Sequence, residues 1–451
     1  MNRGLKTAIA ALAVLAVTVP AAAMPAGPGS TWGYVSSADV APGDQQLVNL
    51  AHVFNFKPGV DAPSSTLDAT GRGTDLEFFT TDVPKRNYAT GELLDAAGNP
   101  LPDGAPPVMV TRDFSIMGSY GGGAWIFDIT DPENVQFVRN IVCNQTQNDI
   151  QIKQFGSRWV VALARDGTSN PCASPQKGQA NQAGIAVFDV TDPYAYTPMY
   201  SFRTTGGAHN FTFHPTKPFG WVSTGDLPGG PNHIPIIDFT NLNAPTLAAD
   251  IATQGGPHDI SFSVDGLRAF VASENNYRIY DTTDPKAPLL ISVTPNAGTY
   301  AHGFDPTPDR KIAVGTNESL ALGGFFASGT TVCPGEGLTF FSIEGDREKT
   351  PVPMGEFIAS VQGKGPDDRA CTGHVGKIAN KSLVTGWYIG GVRVVDFTNI
   401  SQPVEAGIAV MPGAEVWAAK WYKGPYVFAA DMRRGFDVFK WTGTAQAPWL
   451  A

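Results

Sequence analysis

The chain has 451 residues, of which 42% are hydrophobic and only 16% are charged, and its 31 basic and 41 acidic side chains give a formal net charge of −10. The lysines and arginines form no cluster, which argues against nucleic acid and anionic membranes as partners. The 50 glycines and 36 prolines suit many short strands joined by turns, and no long amphipathic helical pattern is present.

Residues 1–23 have the pattern of a secretory signal peptide. Arg3 and Lys6 precede an apolar run over residues 7–19, and an Ala-x-Ala cleavage site ends at Ala23. The run is too short for an ordinary membrane span. We therefore expect a secreted or periplasmic protein with no membrane span in its mature chain, beginning with a disordered leader over residues 24–45.

One phrase recurs from residue 123 to the end of the chain. Strong copies cover residues 123–132, 184–193, 233–241, 277–285 and 391–399, and weaker copies cover residues 337–344 and 435–441. Each strong copy is a run of β-branched and aromatic residues that ends in Asp-x-Thr followed by Asp-Pro or Asn, which predicts a strand and then a turn. A repeat of roughly 45 to 60 residues is typical of a β-propeller.

We expect an all-β fold, a seven-bladed β-propeller of four-stranded blades over residues 46–442, followed by a tail over residues 443–451. A strand at residues 46–56 has no repeat partner before it, and the last copy has no outer strand after it. Pairing of this N-terminal strand with the last blade closes the ring and removes exposed sheet edges. Insertions at residues 82–107 and 321–335 are expected to form loops in blades 1 and 5.

Three features of the repeat resemble the LVIVD-repeat family of exported β-propellers. They are the phrase GxxVxDxTDP, the Asn-Asp pair at Asn148 and Asp149, and the sequence Trp-Tyr-x-Gly-Gly at residues 387–391. The likeness extends over nearly the whole mature chain. It implies a seven-bladed propeller, and it implies no particular reaction, so the function has to be argued from the site.

The four cysteines of an exported chain are expected to form disulfides rather than bind metal. Four cysteines allow three pairings. Their order in the sequence and their positions in loops favour Cys143–Cys172 and Cys333–Cys371. Free buried thiols are the alternative.

Four of the seven histidines occupy one position of the repeat, at the start of the innermost strand. They are His209, His258, His302 and His374. Equivalent positions of a propeller surround the central channel, so we expect these imidazoles to converge although they are far apart in sequence. Acids take this position in the first two blades, Asp75 and Asp149, and Glu415 or Trp417 takes it in the last.

A second set of acids follows the histidines at a constant interval. Asp226, Glu274 and Glu318 lie 17, 16 and 16 residues after His209, His258 and His302, at the end of the second strand. A carboxylate at this place can accept the imidazole N–H that a metal leaves unused. His374 has Trp387 at the corresponding place and therefore lacks such a partner.

Converging imidazoles and carboxylates suit a first-row transition metal, and we favour copper or iron, with zinc as the third option. Four histidines on a propeller are similar in architecture to the carotenoid-cleaving oxygenases and the selenium-binding proteins, but the longer motifs of those families are absent. Our first hypothesis is a metal-dependent oxidoreductase, of oxidase or oxygenase type, acting on a small organic substrate. Asp75 or Asp149 would complete the metal shell or move protons.

Two other hypotheses stay open. The first is a non-enzymatic extracellular binding or scaffold propeller whose ring of histidines and acids is structural, as in WD-repeat propellers, where a histidine bonds within its own blade. The second is a metal-dependent polysaccharide lyase, although no cluster of basic residues is present to hold uronate groups. No protein partner is indicated by the sequence.

The remaining histidines, His52, His214 and His233, are expected at the surface or in satisfied polar positions. The aspartates that end the repeated phrase could suggest calcium. Their position before Thr predicts hydrogen bonds from the side chain to the backbone of the turn instead.

Overall fold

The computed structural model describes residues 45–58, 72–143, 147–166, 177–178, 183–225, 232–298, 300–318, 332–361, 363–364 and 370–443. Within these ranges the regular structure consists of β-strands and one short 3-10 helix, Gly345–Glu348. No helix in this part of the chain has the length and apolar character needed to cross a bilayer.

Seven antiparallel sheets form the blades of a propeller, which confirms the predicted fold class. Blade 1 consists of Gly73–Pro84, Met109–Ser119, Gly123–Asp128 and Gln136–Val142; blade 2 of Gln147–Phe155, Arg158–Arg165, Gly184–Asp189 and Thr197–Arg203; and blade 3 of Asn210–Phe213, Phe219–Ser223, His233–Asp238 and Thr246–Ala252. In each blade the strands follow one another from the channel outward. A short strand, Lys177–Gly178, adds to the outer edge of blade 2.

The other four blades follow the same order. Blade 4 consists of Asp259–Phe262, Arg268–Ser273, Asn276–Asp281 and Leu289–Pro295; blade 5 of Ala301–Pro306, Ile312–Asn317, Leu338–Ser342 and Val352–Phe357; blade 6 of Gly376–Ala379, Ser382–Gly386, Val392–Asp396 and Val404–Val410; and blade 7 of Val416–Trp421, Tyr426–Asp431, Gly435–Trp441 and the N-terminal strand Leu50–Phe56. Val332–Cys333 pairs separately with Gly363–Lys364.

The N-terminal segment closes the ring by pairing with two sheets. Leu50–Phe56 pairs antiparallel with Gly435–Trp441 of blade 7, as predicted. The preceding Gln46–Val48 pairs with the outer strand of blade 6, which the sequence analysis did not separate from the closing strand. Asn49 between them has a φ of +55°, a conformation that asparagine tolerates well, and its Nδ2 donates to the Ala406 carbonyl at 2.8 Å.

The repeated phrase forms the third strand and its turn. In five blades the aspartate that ends this strand accepts a hydrogen bond at Oδ1 from the backbone N–H two residues later. The pairs are Asp128–Thr130, Asp189–Thr191, Asp238–Thr240, Asp281–Thr283 and Asp396–Thr398, with distances from 2.7 to 2.9 Å. The predicted turn bonds are therefore present.

The hydrophobic core lies between neighbouring blades. In the second strand of blade 2, Val161 and Leu163 face blade 1, while Val160 and Ala162 face blade 3. Successive side chains of a strand point to opposite faces, so a strand covered on both faces needs a continuous apolar run. Each blade is held by its two neighbours, and closure of the ring completes the burial.

The insertion in blade 1 begins later than predicted. The first two strands of the blade extend to Pro84 and from Met109, so residues 82–84 belong to a strand and residues 85–108 form the loop. In blade 5, residues 319–331 lie outside the described part of the chain.

One predicted disulfide joins Cys333 and Cys371, with an S–S distance of 2.01 Å. The other predicted pairing involves Cys172, which lies outside the described residues.

The three histidines away from the inner-strand position all have polar contacts. His233 Nδ1 lies 2.5 Å from Asp250 Oδ1. His214 is fully buried, and its Nδ1 accepts hydrogen bonds from the backbone N–H groups of Thr216 and Lys217. His52 lies in the closing strand, where its Nε2 is 2.7 Å from Asp437 Oδ1.

Asp437 tests the importance of ring closure. It is 2% exposed, and its Oδ1 also accepts from Asn55 Nδ2 at 3.0 Å and Arg434 Nη2 at 2.9 Å. Asp437→Ala leaves these donors without their acceptor, so we expect a loss of about 3 kcal/mol in the free energy of unfolding, measured by denaturant titration. The control Asp346→Ala removes an exposed carboxylate and should leave stability unchanged. Equal stability of the two variants would contradict this role of the closing strand.

Candidate metal centre

Four imidazoles lie in a row at one end of the channel. His209, His258, His302 and His374 stand at the beginning of the inner strands of blades 3 to 6. The centroids of neighbouring rings are 4.3, 4.2 and 4.0 Å apart in this order. The last three histidines are no more than 4% exposed. The structure therefore brings together side chains that are separated by up to 165 residues in the sequence.

In three of these rings, Nδ1 faces an oxygen that can only accept a hydrogen bond. His209 Nδ1 lies 3.2 Å from the Asp166 carboxylate, and His258 Nδ1 lies 3.2 Å from the His302 carbonyl oxygen. His374 Nδ1 lies 2.8 Å from the Trp417 carbonyl oxygen. A neutral imidazole has one N–H, and these acceptors place it on Nδ1. The lone pair is then on Nε2.

The Nε2 atoms of His209 and His258 are only 2.9 Å apart. Two lone pairs at this distance repel each other unless a proton or a cation lies beside both. Nitrogen ligands bind zinc and similar ions at about 2.0 to 2.1 Å, and two such bonds at a right angle place the nitrogens about 2.9 Å apart. The separation therefore suits two ligands of one ion.

Glu318 adds a carboxylate to this group. Its oxygen and one nitrogen each of His258 and His302 lie within 4.8 Å of one another, and all three residues are buried. Glu318 Oε1 lies 4.0 Å from His374 Nε2 and accepts a hydrogen bond from the Tyr388 hydroxyl at 2.8 Å. The residue predicted to orient an imidazole is thus placed as a further candidate ligand, itself oriented by Tyr388.

Burial keeps these imidazoles neutral. The pKa of His302 is well below its ordinary value, because the ring is buried and because His374, His258 and His209 are close to it. Burial also lowers the pKa of His374 to about 3, against the opposing effect of its bond to the Trp417 carbonyl. Neutral imidazole is the form that binds metal, so the rings are ready for coordination at physiological pH.

The predicted second set of acids is only partly found around the ring. Asp226 lies outside the described residues. The Glu274 carboxylate makes no hydrogen bond to the four imidazoles in the described part of the chain, and its charge instead acts on Arg278 of the same blade. The partner of an imidazole comes from a neighbouring blade, as Asp166 of blade 2 does for His209 of blade 3. For His258 and His374 it is a backbone carbonyl.

The inner acids also differ from the prediction. Gln147, rather than Asp149, meets the first imidazole, with its Nε2 at 3.2 Å from His209 Nε2. Asp149 lies two residues further along and accepts the Phe211 backbone N–H at 3.0 Å. The reason is an irregular register between Gln147 and Ile150, which shifts the residues that face the channel.

Blades 1 and 7 show the same kind of shift. The register is irregular between Gly73 and Leu76, and Asp75 forms an ion pair of 2.8 Å with Lys420. In blade 7, Trp417 contacts the ring row through its carbonyl and its indole, whereas Glu415 accepts a hydrogen bond from Arg433. Neither Asp75 nor Glu415 therefore takes the place equivalent to a histidine.

A cavity of about 370 Å³ follows the imidazoles along the channel. His302 and His374 line one part of it. The other charged lining residues are five carboxylates and two lysines. We call the carboxylates Asp75, Glu77, Asp149, Asp259 and Asp305 the acidic belt; the lysines are Lys377 and Lys420. Sequence analysis missed Glu77, Asp259, Asp305 and both lysines. Alternation of side chains along an inner strand was the signal that could have found them.

Several carboxyl groups of the belt hold protons more tightly than usual. Burial and the neighbouring Asp305 and Asp75 carboxylates raise the pKa of Asp259 to about 7. Burial raises the pKa of Asp305 to about 6. Burial, Asp75 and Asp259 raise the pKa of Asp149 well above its ordinary range. These groups can exchange protons near neutral pH.

The tautomers can be read directly by ¹⁵N NMR of the metal-free chain. At about pH 6 we expect His258 and His374 to be neutral with the proton on Nδ1, because each Nδ1 faces a carbonyl oxygen. His374→Gln assigns the second signal. A protonated ring, or a neutral ring with its proton on Nε2, would show that the rings are not arranged for metal binding.

The lowered pKa of His374 has a consequence for stability. The unfolded chain takes up a proton at the ordinary pKa of 6.5, whereas the folded chain does so only near 3. The contribution of His374 is therefore complete above pH 6.5 and is lost as the pH falls toward 3. We expect the free energy of unfolding to decrease more steeply in the wild type than in His374→Gln as the pH is lowered from 8 to 4. Denaturant titration at several pH values measures it. Parallel pH profiles would contradict the assigned pKa.

Comparisons with known proteins support the fold and nothing more specific. No protein family matches the chain, and no curated protein does. Among solved structures 1171 chains match, so the fold is too widespread to indicate an activity. One is the β-propeller domain of Cps50 (Swd1) from Myceliophteria thermophila, with 9% identity and a TM-score of 0.51 over 73% of this chain and 93% of that chain. The chain is thus a seven-bladed β-propeller, and its membership of the LVIVD-repeat family stays a prediction.

Proposed function

We propose that this protein is an exported β-propeller that holds a first-row transition-metal ion in its channel and uses it to oxidise a small organic substrate. The proposed ligands are His209, His258, His302 and His374, with Glu318 as an additional oxygen ligand. The observation that carries the proposal is the orientation of the rings. Three of them direct Nδ1 at an oxygen acceptor, which places the lone pair of each ring on Nε2, the atom that would bind an ion.

The ligand set favours a transition metal over calcium or magnesium. Imidazole nitrogen suits copper, iron and zinc, whereas calcium and magnesium prefer oxygen ligands. Copper or iron is our proposal, because either can change its oxidation state, and zinc is the third option. The signal pattern over residues 1–23 supports export to the periplasm or the exterior, where the metal would be acquired.

The cavity supports access of a small molecule to the centre, since His302 and His374 line it. An oxidase reaction removes two electrons and two protons from the substrate and passes them to O₂, which becomes hydrogen peroxide. The bound metal would supply the electron transfer. Asp149 is suited to take up a proton because its pKa is raised, whereas Asp75 is held by Lys420 and instead balances that charge.

The structural alternative makes a different geometric demand. A clasp of the WD-repeat type bonds each histidine within its own blade, but here the imidazole contacts run between blades, from His209 to Asp166 and from His374 to Trp417. The lyase hypothesis is disfavoured as well. Lys420 is occupied by Asp75 and Glu77, so the cavity would repel a polyuronate.

Metal analysis of the chain purified without a histidine tag tests the proposal. We expect about one equivalent of copper or iron per chain and a loss of affinity of about tenfold or more in His302→Ala. The matched control His233→Ala removes an imidazole outside the ring and should keep the metal. Absence of any bound metal after loading, or equal loss in both variants, would favour the scaffold hypothesis.

The redox part has its own test. Reduction of the loaded chain with one equivalent of a mild reductant, followed by exposure to air, should remove and restore the spectrum of the oxidised metal. If the bound metal cannot be reduced and reoxidised, the protein is not an oxidase. The remaining explanations are then zinc or a structural ion.

A further inference from the structure

The acidic belt has more carboxyl groups than its two lysines can pair with. Lys420 Nζ lies 2.8 Å from Asp75 and 3.1 Å from Glu77. Lys377 is placed on the same side, where its charge acts on Glu77 and Asp75. The positive charges of the two lysines therefore offset the negative charges of Asp75 and Glu77. Three carboxyl groups on the opposite blades remain.

The remaining groups are Asp149, Asp259 and Asp305, from blades 2, 4 and 5. None of them forms an ion pair with a lysine or arginine in the described part of the chain, and all three line the cavity. Asp149 and Asp259 each accept only a backbone N–H among the hydrogen bonds of the described residues, at 3.0 and 2.7 Å. Partly desolvated carboxylates without a cation are costly. A bound cation would remove this cost.

His302 provides a second observation that points to a ligand in the cavity. Its side chain is 2% exposed and lines the same cavity, and its nitrogens have no hydrogen bond within the described residues. A buried polar group without a protein partner is rare and requires an explanation. The cavity thus joins this imidazole to three carboxyl groups that have no lysine or arginine partner in the described residues.

The geometry of the belt argues against a bare metal ion there. In the described residues, only His258, His302 and Glu318 bring three carboxylate, imidazole or thiolate ligand atoms within 4.8 Å of one another. Asp149, Asp259 and Asp305 are therefore too far apart to share one ion directly. Dispersed carboxylates suit a larger cation that donates several hydrogen bonds.

The far part of the cavity contains apolar side chains. Phe213, Phe262 and Val264 line it beside Ser261 and Ser263, at the ends of the inner strands of blades 3 and 4 that lie opposite to the imidazoles. Val264 is 69% exposed, so it offers an accessible apolar surface at this end of the cavity. Along the channel the order is therefore imidazoles, carboxylates and then apolar side chains.

We propose that this cavity binds a small organic ammonium compound, with its positively charged nitrogen between Asp149, Asp259 and Asp305 and its apolar part against Phe213, Phe262 and Val264. A volume of about 370 Å³ is at the lower end of the range for small-molecule sites. Binding does not depend on the metal.

Amines are then the substrate class of the proposed oxidation, a step that rests on the proposed function. Two electrons and two protons leave the carbon and nitrogen of the C–N bond and reduce O₂ to hydrogen peroxide. Water then hydrolyses the imine to an aldehyde and ammonium.

Calorimetric titration of the metal-free chain tests the binding site separately from the metal. The probe is phenethylammonium, compared with 2-phenylethanol and phenylacetate at about pH 8. We expect the ammonium probe to bind about tenfold more tightly than the neutral alcohol, and phenylacetate not to bind. Equal binding of probe and alcohol, or no binding of the probe, would overturn the proposal.

Asp305→Asn removes one charge with little change of shape. We expect about fivefold weaker binding of the probe, together with unfolding stability equal to or greater than that of the wild type, because an unpaired charge has been removed. Asp346→Asn is the matched control and should bind like the wild type, since Asp346 is exposed and distant from the cavity. Unchanged affinity in Asp305→Asn, or displacement of the probe by magnesium at equal concentration, would refute the ammonium site.

Because these titrations use metal-free protein, their outcome is independent of the metal analysis. Probe binding without any metal-binding capacity would refute the proposed function and keep the ammonium site. Metal binding without probe binding would refute the ammonium site and keep the proposed function.

Discussion

The channel chemistry depends on a hydrogen bond from imidazole Nδ1 to an oxygen of a neighbouring blade. His258 meets the carbonyl of His302, and His374 meets the carbonyl of Trp417. Each bond fixes the orientation and the tautomer of a ring, and therefore places the lone pair of Nε2. Without these bonds the rings could rotate or carry the proton on Nε2, and the row of imidazoles would not present a common set of ligand atoms.

The architecture explains how such bonds can be formed. A backbone carbonyl can serve an imidazole of the adjacent blade only if the blades keep a constant distance and register. The apolar interfaces between blades and the N-terminal strand in blade 7 provide this constraint. Stability of the ring and orientation of the site are thus two results of the same packing, since interiors are close-packed and transmit small displacements.

The sequence predicted the parts of the molecule that depend on repetition. The repeated phrase gave the third strand and its Asp-Thr turn, and the common position of four histidines predicted that they meet. Local irregularities of register could not be seen in the same way. Between Gln147 and Ile150 the pairing shifts, so Gln147 rather than Asp149 contacts His209. Such a shift reverses which residues face the channel.

Backbone acceptors were also beyond sequence reasoning. The carbonyls that orient His258 and His374 belong to His302 and Trp417, and any residue type could supply them. The interval of 16 residues places Glu318 beside the imidazoles, whereas Glu274 makes no hydrogen bond to them in the described residues and acts on Arg278. The acidic belt was missed because Asp259 and Asp305 follow the histidines on the same inner strands and gain significance only when several blades are placed around one cavity.

The central claim is that imidazoles from different blades bind one ion. X-ray absorption spectroscopy of the metal-loaded chain tests it most directly, because imidazole rings give a recognisable outer-shell scattering pattern. The account predicts at least two imidazole ligands and a carboxylate oxygen at about 2.0 to 2.2 Å from a single metal ion, since His258, His302 and Glu318 have ligand atoms within 4.8 Å of one another. A first shell of oxygen atoms alone, or with a single imidazole, would contradict it.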